Sequence, residues 1–167
     1  MGAIDDLLPL AAVAAVLTVL FRPRSRGPSP NFTWGEVYGD EQSYRSPGRD
    51  ARAGLVADRL ELIRAWYDSP VDISSWARSP EHNHAVGGSD SSDHVPAGAT
   101  DFTVRGVPSI QVGARIRSSA LVVDQVIVYH PEQGGHVHMG VRPTGNRNQF
   151  FYVTAAGDLV PLPTGPF

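Results

Sequence analysis

At 167 residues the chain is long enough for one compact domain and an appendage. A net charge of −3 and a pI near 6.0 exclude the basic stripe of a nucleic-acid binder, and 41% apolar against 19% charged residues exclude a disordered tail. The absence of cysteine excludes disulfides and thiolate metal sites, so any metal must be held by His, Asp or Glu.

The chain opens on an apolar run, Leu7 to Phe21, with Asp5 and Asp6 before it and Arg22, Arg24 and Arg26 after it. Acids before and bases after suit a helix dipole, and Pro9 falls in the first turn, where a missing N–H is harmless. The spacing predicts an apolar helix over residues 1–21. A cleavable signal peptide would carry its positive charge in front, so none is expected. Two readings stay open. One is a short membrane anchor, below the ~20 residues of a full span, whose trailing arginines keep the next domain cytoplasmic. The other is a helix packed between subunits of an assembly. Residues 22–30 form a stiff, basic, proline-rich linker, and 31–167 are the globular domain.

Within the domain, Thr33 and Glu36 have the spacing of a capping box. Tyr38 to Arg52 is polar and is read as loop. Leu55 to Tyr67 is read as a helix with Val56, Leu60, Ile63 and Tyr67 on one face, joined by Leu62 and Trp66. Val71 to Ser74 alternates as a strand, and Ser75 to Ser91 is a long polar loop, a length that is usually functional. A second strand starts at Asp101, a helix follows over Pro108 to Ser118, and Asp124 to Tyr129 and Val137 to Val141 are strands joined by the Pro131 to Gly135 turn. Phe150 to Val153 is read as an edge strand. Helices not alternating strictly with strands give an α+β class, a mainly antiparallel sheet flanked by helices.

All six histidines fall between positions 82 and 138. His136 and His138 point to one face of a strand, a costly way to fill a core unless something binds them. With His94 and Asp101, seven positions apart across Pro96, Gly98 and Ala99, the chain offers imidazoles and a carboxylate able to close on one metal. His82 and His84 are read as solvent-facing.

The flanks carry a family resemblance. Asn31-Phe-Thr-Trp-Gly-Glu36 and Arg59-Leu-Glu-Leu-Ile-Arg64 resemble the opening of the M15 peptidases, the phage-type zinc D-Ala-D-Ala carboxypeptidases and related peptidoglycan endopeptidases. Ser75-Trp-Ala-Arg78-Ser-Pro-Glu-His-Asn83 is similar to their Ser-x-x-Arg-Ser-x-x-x-Asn segment, and Ser92-Asp-His94 through Asp101 to Ser-x-His-x6-Asp. Glu132 through His138-Met-Gly-Val-Arg142 resembles the closing strand, in a form also similar to the Hedgehog signalling domain. The resemblance runs from about residue 31 to 148. It implies a single zinc site with His94, Asp101 and His138 as ligands, and Glu132 as general base and acid. It also implies His136 at the oxyanion and Arg78 on a substrate carboxylate or the tetrahedral intermediate. The substrate it implies is the peptide stem of peptidoglycan. The setting it implies is a phage or virion, which residues 4–21 would join through a membrane or a virion protein. One departure is plain: the more common members place the acid three residues before the last ligand, where this chain has Gly135.

Overall fold

The computed structural model describes residues 26–164. The helix expected over 1–21 lies outside the described residues, as does the linker up to residue 25. Among the described residues no helix is long and apolar enough to cross a membrane. The end of the linker packs on the domain: the Ser29 hydroxyl and the Asn31 amide donate to the Glu61 carboxylate at 2.7 Å each.

Helix α1, Trp34–Tyr38, begins with the expected capping box, Thr33 and Glu36 satisfying each other's backbone N–H. Helix α2 runs over Pro47–Tyr67, eight residues earlier than the sequence periodicity predicts. Its start is set by capping: the Ser46 hydroxyl accepts the Arg49 N–H, and Pro47 supplies a pre-set φ at the first position. Polar residues at 49, 50 and 52 mask this turn from a hydrophobic-periodicity reading, and they are partly buried because their partners are polar. Tyr38 to Arg52 is therefore not one loop. It holds a 3-10 turn, Gln42–Tyr44, and the first turns of α2. Helix α3, Pro80–Ala85, interrupts the predicted long loop, capped by Ser79. Helix α4 covers Ser109–Ser118.

Six strands form one sheet in the order β1-β2-β4-β3-β5-β6: Val71–Ser75, Ala99–Val104, Val137–Gly140, Gln125–Tyr129, Gln149–Val153 and Leu159–Pro161, respectively. All pairings are antiparallel except β3 with β5. The class is thus α+β with a mostly antiparallel sheet. Because Leu159–Pro161 pairs outside it, β5 is an interior strand and not the predicted edge.

One sheet face carries the core. Val126 and Val128 of β3, Val137 and Met139 of β4 and Phe102 of β2 are fully buried against Val56, Leu60 and Ile63 of α2 and Val112 and Ile116 of α4. Burial of one such side chain contributes about 1.5–3 kcal/mol. Leu62, assigned to the buried face from periodicity, is 50% exposed. Gly113 lets α4 approach β3: a Cβ there would lie 2.2 Å from the Val128 side chain. With the helices on this face, the opposite face of β2, β4 and β3 stays open.

Candidate metal centre

The open face is polar because strand side chains alternate. Gln125, Ile127 and Tyr129 of β3, with His136, His138 and Gly140 along β4, line a cleft of about 600 Å³. The segment from Val86 to Asp93 forms its opposite wall. A Cβ at Gly88 would lie 2.2 Å from the buried Asn83 amide oxygen, so glycine is what lets this wall close over α3.

Three side chains converge at the floor. Asp101 lies in the middle of β2, two residues into the strand, and pairs directly across with His138 of β4. Opposed residues on neighbouring strands hold their Cβ atoms about 4.5–5.5 Å apart, so these two functional groups must meet. His94 arrives from the loop before β2, where its carbonyl accepts the N–H groups of Arg78 and Ala97 at 3.1 and 3.0 Å. The His138 Nδ1 lies 2.8 Å from Asp101 Oδ1, and His94 Nε2 lies 3.2 Å from His138 Nδ1 and 3.3 Å from Asp101 Oδ1.

These donors fit a divalent ion. The His94 Nδ1 sits 2.5 Å from the Trp76 carbonyl, which can only accept, so Nδ1 carries the proton and Nε2 presents a lone pair to the cluster. The three ligand atoms all lie within 4.8 Å of one another. Ligands about 2.0–2.2 Å from a tetrahedral ion stand roughly 3.3 Å apart, close to the spacing found here. His94, Asp101 and His138 could therefore hold a metal ion. Among the described residues no other group of three His, Asp or Glu comes together in this way. A separate concavity of about 640 Å³, lined by Tyr67, Gln111 and Arg115, contains no such cluster.

Burial alone would raise the Asp101 pKa, but hydrogen bonds and charge from His138 and His94 outweigh it and hold the carboxyl well below the usual range. Arg78 lines the cleft with two nitrogens already engaged: Nη2 donates to Asp101 Oδ2 at 2.7 Å and Nε to the Ser75 hydroxyl at 2.9 Å. The guanidinium assigned to a substrate from sequence thus grips the carboxylate that faces the cluster. His136 stacks on Tyr129, ring centroids 4.2 Å apart and 16° from parallel. Its Nδ1 edge faces Gly134. Burial pushes the His136 pKa down and favours the neutral ring.

The structure does not bring Glu132 to the cleft. It sits exposed on a 3-10 turn, Pro131–Gln133, whose proline and His130 cap direct the chain outward before β4 begins. His130 serves that cap by accepting the Glu132 N–H. His82 is half-exposed with Nδ1 2.6 Å from Glu41, and His84 is exposed. The sequence reading passed over Tyr129, Arg142 and Arg147, all of which line the cleft. For two of them a signal was present: Tyr129 is in phase with Gln125, and Arg142 with His136 and His138.

The Peptidase M15 family model matches residues 31–140, a span that contains His94, Asp101, His136 and His138. No curated protein matches the chain.

Proposed function

Because the chain belongs to the Peptidase M15 family, we propose that it is a zinc-dependent peptidase that cuts peptide bonds in the stems of bacterial peptidoglycan. The observation that carries this reading is the convergence of His94, Asp101 and His138 on one point at the floor of a solvent-open cleft. In this reading those three residues hold the ion. Held there, a zinc ion would supply Lewis acidity, lowering the pKa of a water from 15.7 to about 7 and favouring charge on a carbonyl oxygen.

The chain's own residues do the rest. Arg78 is a positioning residue: by taking Asp101 Oδ2 it turns Oδ1 toward the two imidazoles. His136, whose plane is set by the Tyr129 ring, is the proton carrier that the cleft offers. With Nδ1 against Gly134, Nε2 is left to take a proton from the attacking water and pass it to the leaving amine. General acid–base transfer of this kind is worth about 10²–10⁴-fold. The uncharged run within residues 4–21, between acids and arginines, supports a tether to a virion or a membrane.

A second reading, a structural virion subunit that keeps the metal-binding fold without turnover, is favoured by one observation: Glu132 is exposed and away from the cleft. Stem-peptide hydrolysis by the full chain, before and after chelation and zinc restoration, separates the two. Turnover that disappears with chelator and returns with zinc supports the peptidase. Zinc bound at full occupancy with no cleavage of any stem peptide supports the subunit.

A further inference from the structure

The cleft continues past the three candidate ligands, and its other end is built from arginine. The alternation of β4 persists beyond the strand, so that His136, His138, Gly140 and Arg142 all line the cleft. Arg147 joins them from a turn that Asn146 locks, its side chain accepting the Arg142 N–H and donating to the Arg142 carbonyl, both at 2.8 Å.

Both guanidiniums are clamped along one edge. Arg147 donates from Nε and Nη2 to Asp124 at 3.0 and 2.6 Å. Arg142 donates from Nε and Nη2 to Asp93 at 3.3 and 3.2 Å, and its Nε lies 3.4 Å from Asp124 Oδ2. Asp93 also accepts from Arg52 at 3.0 Å. Three guanidiniums (Arg52, Arg142, Arg147) thus face two carboxylates (Asp93, Asp124), which leaves one positive charge in excess. Asp124 is fully buried, whereas the Arg142 and Arg147 side chains are 35% and 44% exposed, and neither Nη1 takes part in these contacts. A guanidinium held in place but open on one edge has already lost the rotamer freedom that carboxylate binding would otherwise cost.

We propose that Arg142 and Arg147 form an anion-binding subsite that takes a carboxylate of the peptide substrate. This rests on the peptidase reading above, and it assigns to one end of the cleft a charge preference. Geometry says which carboxylate. A strand rises about 3.3 Å per residue, so Gly140 lies roughly 7 Å from His138. The Asp93 Oδ2 that Arg142 grips is 3.8 Å from where a Gly140 Cβ would stand. In an extended peptide, at ~3.3–3.6 Å per residue, that separation corresponds to about two residues. The subsite therefore reads a carboxylate about two residues from the bond that is cut.

Calorimetric titration of stem peptides into the zinc-loaded full chain tests this, with wild type compared with Arg142→Gln and Arg147→Gln. Each peptide is used with all carboxylates free and with each one singly amidated, and hydrolysis is followed alongside. One amidation is expected to weaken wild-type binding by about tenfold, or ~1.4 kcal/mol, in keeping with a charge-assisted pair. Whichever glutamine variant folds then binds that amidated peptide and the free one alike. The subsite is overturned if no amidation affects wild-type binding, or if the preference survives in the variants. Binding preference without cleavage would uphold the subsite and remove the peptidase reading. Cleavage with no preference would do the reverse.

Discussion

Two regions only six residues apart behave in opposite ways. His138 sits in a strand hydrogen-bonded on both sides, between β2 and β3, and its neighbours dictate where its ring goes. Glu132 sits on a proline-led turn at the sheet's end, held by a cap from His130 and open to water. The contrast teaches that sheet register delivers a side chain to the site, whereas nearness in sequence does not. His136 lies between them and follows the strand, since its ring stacks on Tyr129 of the adjacent β3.

The sharpest way to break that comparison is to swap the two proton-handling candidates. His136→Gln is expected to lower kcat by about 10²–10⁴-fold while zinc content stays unchanged, and Glu132→Gln is expected to leave stem-peptide turnover at the wild-type rate. Steady-state kinetics with metal analysis reads both. Loss of turnover in Glu132→Gln would return the proton-transfer role to the turn.

A smaller effect is expected from the support of the metal centre. Arg78→Lys keeps the charge but cannot donate from Nε to Ser75 and from Nη2 to Asp101 at once. Zinc affinity measured by competition with a chelator should fall about 10–100-fold, with the folded state retained.

Next comes the arginine end. Asp124→Asn should cost about 1–3 kcal/mol in denaturant unfolding, because the fully buried acceptor loses the charge that the part-exposed Arg142 and Arg147 guanidiniums grip. Burial would raise the Asp124 pKa, but the Arg147 hydrogen bonds and the charges of Arg142 and Arg147 hold it below the ordinary value. A depressed folded pKa gives stability that is fully present above the unfolded value of about 3.9 and is lost as pH falls through the folded one. The variant should therefore show a flatter stability curve than wild type below about pH 4. An equally steep curve would mean that Asp124 is not a source of the acid sensitivity. The smallest effect belongs to the solvent face of α2, where Leu62→Ser should change stability by no more than about 0.5 kcal/mol.

These contrasts also separate what was legible in the chain from what was not. The α+β class, the capping box at Thr33 and α4 could be read from local spacing, because each depends on residues within a few positions of one another. The joint placement of His94, Asp101 and His138 was legible through the family's motifs and through strand alternation. The start of α2 was not, since Ser46 and Pro47 set it with backbone geometry and not with apolar residues. Nor was the loss of Glu132 from the cleft, which depends on how a turn leaves the sheet. Arg142 followed the alternation of His136 and His138 and could have been found by extending it. Arg147 could not, because the residue that places it, Asp124, lies 23 positions earlier in the chain.

Zinc content measured on folded wild type and on folded His138→Ala, after identical loading and removal of free metal, bears most directly on the metal centre. One ion per wild-type chain and none in the variant is the expected result. An unchanged stoichiometry in His138→Ala, or no metal retained by the wild type, would contradict the assignment of His94, Asp101 and His138 to a common ion.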